Sequence, residues 1–157
     1  MSMLEIFTAI ENSAIGEVIR SSTWAFAAIE VVHLLGLTVL IGTVLVVSLR
    51  LFGTGLNGQS TQDIAALTLP WTYLGIIVTI GSGVFLFISE AVKCYENPPF
   101  FVKMAFLALA LVSTFATHRR LASGAAKSTG LAAKFAGGVM IALWLGVGFA
   151  GRAIAFY

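Results

Sequence analysis

Charge is what this chain of 157 residues most conspicuously lacks: 10% of its residues are charged while 59% are hydrophobic. A soluble domain carries about 25% charged residues, so the composition excludes a surface built for water on all sides. Net charge is +2 with scattered basic residues, which leaves no footprint for nucleic acid. Cys94 is the single cysteine. No disulfide can close within the chain, and no cysteine cluster can hold a metal. There is no phosphate-binding glycine loop, no dinucleotide fingerprint and no His-x-x-x-His pair on a helix.

Long apolar runs fill the space these absences leave. A helix needs roughly 20 apolar residues to cross a bilayer, and four segments qualify: about 24–49, 64–89, 99–117 and 135–156. The second carries no charge at all, so it lacks the polar stripe of a helix in a soluble bundle. Gly53, Thr54, Gly55, Asn57 and Gly58 form a first loop. Asn97, Pro98 and Pro99 separate spans two and three, and Ser123, Gly124, Lys127, Ser128 and Gly130 mark the last loop. The expected fold is therefore all-α: an integral membrane four-helix bundle, one domain over 1–157.

The first twenty residues carry Glu5, Glu11 and Glu17 against one base, Arg20. A secretory signal has a basic start and a short apolar core, so this segment is expected to remain in the mature protein. Leu4, Phe7, Ile10, Ala14 and Val18 recur at helical spacing, which predicts a short N-terminal helix lying at the membrane interface. Basic residues favour cytoplasmic loops. Arg50, Arg119, Arg120, Lys127 and Lys134 gather at the first and third loops, against Arg20 and Lys93 on the opposite surface. Both termini are thus expected on the non-cytoplasmic side, the periplasm if the membrane is a bacterial inner membrane. Gly138, Ala142, Gly146 and Ala150 recur every fourth position in span four, a pattern that lets helices approach closely.

Ionisable residues inside a bilayer cost about 2.5–3.5 kcal/mol each on insertion scales and mark function by default. His33 lies about 13 Å in from Trp24, and Glu30 one turn nearer that end. Lys103 and Arg152 each sit about 6 Å inside spans three and four, at the same side, and Glu90 closes span two there. These five residues are expected to converge in the outer half of the bundle. Such a cluster admits three readings: a buried ion-pair network fixing helix register, a haem or metal site, or a transport or proton path. For haem, His33 is the candidate axial ligand, with Lys103 and Arg152 as cationic partners for the propionates and Glu30 alongside. His118 falls about 15 Å deeper than His33, too far to share one iron. It adjoins Arg119 and Arg120 and is expected to anchor the cytoplasmic interface. The hydroxyls of Thr38, Thr79, Ser82 and Ser113 are expected to bond to their own helix backbones.

The stretch from Trp24 through Glu30 and His33 to Gly36, continuing to Gly42 and Ser48-Leu49-Arg50-Leu51, resembles the first core helix of a loose superfamily of small membrane proteins. That group includes HemJ-type protoporphyrinogen oxidase and the CopD copper-resistance domain. Asn97-Pro-Pro-Phe-Phe-Val-Lys103 resembles the lysine-bearing helix of HemJ. The likeness extends over nearly the whole chain to an uncharacterised family of four-helix bacterial membrane proteins. By resemblance, His33 ligates haem b and Lys103 is its functional companion. The function expected is a cytochrome-like membrane protein with one haem b near the outer face. It would exchange electrons with a membrane or periplasmic partner, as an oligomer or a subunit of a larger complex. Alternatives are a HemJ-like porphyrin oxidoreductase and a cofactor-free transport, assembly or copper-handling subunit; whether the chain is an enzyme stays open.

Overall fold

A computed structural model describes residues 2–54, 58–123 and 130–156. The predicted loop residues Gly55, Asn57, Gly124, Lys127 and Ser128 lie outside them. Every described element is helical: α1 (Met3–Glu11), α2 (Ala14–Ser21), α3 (Ala25–Phe52), α4 (Thr61–Ser89), α5 (Ala91–Glu96), α6 (Pro98–Ala122) and α7 (Leu131–Ala153), closed by a 3₁₀ turn at Ile154–Phe156. The four long helices α3, α4, α6 and α7 are each apolar and long enough to span a bilayer. They pack α3 on α4, α6 on α7 and α3 on α7, with a looser contact between α4 and α6. The result is an up-down-up-down bundle.

Helix boundaries follow local chemistry. Ser2 and Glu5 form a reciprocal capping box on α1, and the Ser13 and Ser60 hydroxyls accept backbone N–H groups at the starts of α2 and α4. Each such cap stabilises by about 1 kcal/mol. Pro98 and Pro99 open α6, where a missing N–H costs nothing. Gly53 ends α3 at φ 76, and Thr54 N–H returns to Leu49 O. A residue without Cβ suits that left-handed stop. The spanning helices overrun the apolar stretches that mark them in sequence: α6 continues past Thr117 to Ala122, and α7 begins at Leu131.

The core runs through the middle of the bundle and towards the end carrying Arg50, Arg119, Arg120 and Lys134, here called the basic end. Leu40, Val44, Val47, Leu51, Ile76, Ala110, Leu121, Met140, Trp144 and Val147 build it. Trp144 is sealed inside and donates its indole N–H to Thr114 Oγ1 at 2.9 Å. Outside, Leu34, Leu35, Leu67, Ile77, Val84, Leu109, Val112 and Phe149 all stand exposed. A water-soluble monomer rarely exposes more than a few hundred Å² of contiguous apolar surface. Here lipid is the outer solvent, and the chain is an integral membrane protein.

The opposite end is capped by three short helices, where the sequence pattern indicated one. Phe7 of α1 meets Phe87 edge-on at 5.8 Å and Tyr95 of α5 at 4.9 Å, and Phe87 stacks on Phe100. Glu11 Oε2 accepts the Val92 N–H at 2.7 Å, capping the start of α5. The Arg20 guanidinium donates to the Glu11 and Ser89 carbonyls, locking α2 against the end of α4. Asn97 Nδ2 donates to Ile154 O at 3.1 Å, so the chain's C-terminal turn joins the same end.

Glycines set the helix spacing. A methyl group at Gly75 would fall 2.9 Å from Leu40 Cβ, and one at Gly36 would fall 2.8 Å from Val78 Cγ1. Gly146 lies against the Phe106 ring, while Gly81 has nothing within 4 Å. The predicted span-four stripe therefore divides, with Gly146 and Ala150 facing inward and Ala142 exposed. Gly75→Ala is expected to destabilise the detergent-solubilised protein by about 1–3 kcal/mol through overpacking. Gly81→Ala should be neutral or stabilising by up to about 1 kcal/mol through helix propensity; thermal melts of the two variants compare them directly.

Candidate functional site

Above the apolar core, towards the capped end, the interior turns polar. His33 lies about 12 Å along α3 from Ala25 and is half-buried. Its Nδ1 is 3.0 Å from Ser82 Oγ on α4. Ser82 has one hydroxyl hydrogen and two carbonyls in reach, Val78 O as the nearer and Thr79 O at 3.2 Å. With that hydrogen on the helix backbone, Ser82 accepts from His33 and Nδ1 is the protonated ring nitrogen. Nε2 is left with the lone pair. Gly83 makes the seat possible, since a Cβ there would lie 3.1 Å from His33 Cε1.

Lys103 reaches the same level. Gly151 of α7 packs against its Cδ, Cε and Nζ at 3.7–3.8 Å, and Gly137, about 21 Å further down α7, abuts Ser48 on antiparallel α3. The same step back along α3 arrives within one turn of His33 and Gly36. The other members of the predicted cluster lie elsewhere. Glu30 is exposed one turn nearer the cap, and Arg152 is exposed with its guanidinium 5.0 Å from the Phe156 ring centroid. Among the described residues one ion pair forms, Lys93 to Glu90 at 3.6 Å on the cap. The structure thus sets His33 and Lys103, both half-buried, at one depth on different helices, and leaves Glu30 and Arg152 facing outward. No five-membered interior ion network forms from these groups.

The sequence reading passed over two residues of the site. Ser82 was expected to bond only to its own backbone; its Oγ reaches those carbonyls and also pairs with His33 Nδ1. Gly83 was expected to serve helix packing, and it seats the ring. Counting inward from the capped ends of α3 and α4 puts His33 and Ser82 at matching depths, which is the signal that pairs them. His118 departs further from expectation. It is 6% exposed, not an interfacial anchor, because it shares the inward face of α6 with Ala110, Thr114 and Leu121 while Arg119 and Arg120 point away. His33 and His118 remain near opposite ends of the bundle, so they do not converge on one metal. No group of three or more His, Cys, Asp or Glu side chains converges among the described residues.

A membrane-embedded helical bundle with one polar level near its capped end is the class that fold and site define. The chain belongs to DUF6644, a family of unknown function whose model matches residues 6–157. Neither the curated proteins nor the solved structures yield a match. The resemblance to an uncharacterised family is thereby supported, whereas the resemblance to HemJ and CopD finds no support in these comparisons.

Two outcomes check the site. In ¹⁵N spectra of histidine-labelled protein, His33 should show the Nδ1-protonated tautomer, and Ser82→Ala should shift it towards a tautomer mixture. Cys94 sits on α5, close to Lys103; burial and then the Glu90 carboxylate push its thiol up to about 11. Because the thiolate is the nucleophile, maleimide labelling of Cys94 at neutral pH should be slow until the protein unfolds.

Proposed function

We propose that this chain is a cytochrome-like electron-transfer protein that holds one haem b through His33. The observation carrying this reading is the pairing of Nδ1 with Ser82, which orients the ring and, with the Ser82 hydrogen on its own backbone, leaves Nε2 as the basic nitrogen. Metal-ligating histidines are commonly held in this way through their other ring N–H. Lys103 supports it as a cation at the depth of the ligand with no acidic partner among the described residues; an anionic group on the bound molecule would complete it. Haem brings such groups as propionates, for which Lys103 and the outward-facing Arg152 are the available cations, with Glu30 at the rim. Bound there, the iron would supply one-electron transfer. The protein's own contributions are to fix the ligand ring, provide cationic counter-charge and keep bulk water from the lower half of the bundle through its apolar core.

The membrane is taken to be a bacterial inner membrane. Cationic residues at the basic end favour a cytoplasmic location, which places the capped end, both termini and the site on the periplasmic side. Electrons would pass to or from a membrane or periplasmic partner, with the chain acting as a subunit of a larger assembly. A purely structural ion-pair network is less well supported, since the interior lysine lacks an acid to pair with.

Expression with haem supplied, followed by a visible spectrum of the purified protein, tests the reading. A Soret band is expected, lost in His33→Ala and retained in His118→Ala. Ser82→Ala should weaken haem retention by about 10- to 100-fold, the usual effect of removing a ligand's orienting partner. A colourless wild-type protein would refute haem binding. A band that depends on His118 would refute the assignment of the ligand.

A further inference from the structure

The basic end of the bundle holds a second polar level that the proposed haem site does not use. Ser48 on α3 is 0% exposed and His118 on α6 is 6% exposed. Ser48 Oγ and His118 Nδ1 are both buried without a hydrogen-bond partner. Each such orphan costs about 1–3 kcal/mol when nothing satisfies it, and lipid supplies no donor or acceptor.

Helix register places the two at one depth. Lys103 packs across Gly151, and His118 lies about 22 Å further along α6. The same step back along antiparallel α7 ends beside Gly137, whose missing side chain faces Ser48 Cα and O at 3.4 Å. Thr114, one turn from His118 on the same face of α6, bonds to Trp144 of α7, so this face looks into the bundle. Buried apolar residues bound the level on both sides, with Val44 and Trp144 towards the middle and Leu51 and Leu121 towards the basic end.

Among the hydroxyls of the spans, Ser48 Oγ and, nearer the capped end, Thr79 Oγ1 are buried without a partner, the latter against the expectation that it bonds its own helix. Thr38, Thr43, Thr68, Thr72, Ser82 and Ser89 all donate to a carbonyl of their own helix, the usual resort of a serine or threonine in a helix. Ser48 does not, so its hydroxyl remains available to something else in the interior.

We propose that Ser48 and His118 form a buried water-binding site, with water bridging Oγ and Nδ1. Water is the ligand the chemistry selects: it can both donate and accept, and buried waters characteristically satisfy polar groups left without protein partners. The site gives His118 a partner with which to exchange a ring proton at the end of the bundle opposite His33.

Magnetisation transfer from water to the ¹⁵N-labelled histidine rings, measured on the full chain in lipid nanodiscs, tests this. Transfer to the His118 ring is expected in the wild type. It should fall at least about tenfold in Ser48→Ala and persist in Ser48→Thr, which restores the hydroxyl. Absence of transfer to His118 in the wild type, or transfer undiminished in Ser48→Ala, would overturn the site. The wild-type measurement decides even if a variant fails to fold. It needs no Soret band, so its failure is distinct from failure of the haem reading.

Discussion

At Gly36 and Gly75 helices α3 and α4 run too close to admit an added methyl group, and at Gly83 the His33 ring fills the space a side chain would take. In lipid this closeness is a principal source of helix association, because the bilayer competes for apolar contacts and dispersion rewards only tight packing. The contact fixes the register of the first hairpin of spans, and that register carries His33 to Ser82. If α4 slid by one residue, its faces would turn by about 100°, and Ser82 would no longer meet the imidazole. The chemistry of the polar level near the cap therefore depends on an apolar fact, the absence of side chains at three positions.

The cap depends on the same hairpin. Arg20 is anchored on the Ser89 carbonyl at the last turn of α4, and Glu11 holds the first turn of α5. An arginine that donates to carbonyls leaves its charge without a carboxylate, yet the surroundings are acidic. Glu5, Glu11, Glu17, Glu30, Glu90 and Glu96 all belong to the capped end, and Asp63 alone to the other. Lys93 and the interior Lys103 sit in this same acidic field. The charge separation along the bundle axis thus comes from acids at one end as much as from bases at the other.

What the sequence made legible was whatever depends on length and composition. Four uninterrupted apolar runs, one without a single charge, are enough to give four spans, since the hydrocarbon thickness sets the required length and demands internal hydrogen bonding. Depth along a span was legible too, because the rise per residue is fixed; His33 and His118 stand at the separate levels their positions imply. Azimuth was not. Every span is apolar nearly all round, so periodicity does not distinguish a lipid face from a core face. Hence Arg152 and Glu30 were expected inside and lie outside, while His118 was expected at the interface and lies inside. The cap was legible only as amphipathic spacing in Leu4, Phe7, Ile10, Ala14 and Val18. Its division into two helices is written in Asn12 and Ser13, and its partner α5 is too short to show a period.

The two polar levels differ in how they are satisfied, and that difference separates their chemistry. At the capped end, the Ser82 hydroxyl is engaged by its own backbone and by His33, Thr79 Oγ1 one turn away is left open, and Lys103 supplies a cation at that depth. Such a site asks for an electrophile that carries negative charge elsewhere. At the basic end, hydroxyl and imidazole are both left open; Arg119 and Arg120 point away, and the half-buried Arg50 donates to Gln59 O. Such a site asks for a small neutral molecule able to donate and accept. Between them lie Leu40, Val44, Ile76, Ala110 and Met140, all buried, and none offers a hydrogen-bonding side chain. Buried Thr43 and Thr72 share that layer, and each donates its hydroxyl to a carbonyl of its own helix. The bundle therefore holds two polar levels that lie apart along its axis and differ in the groups they leave open.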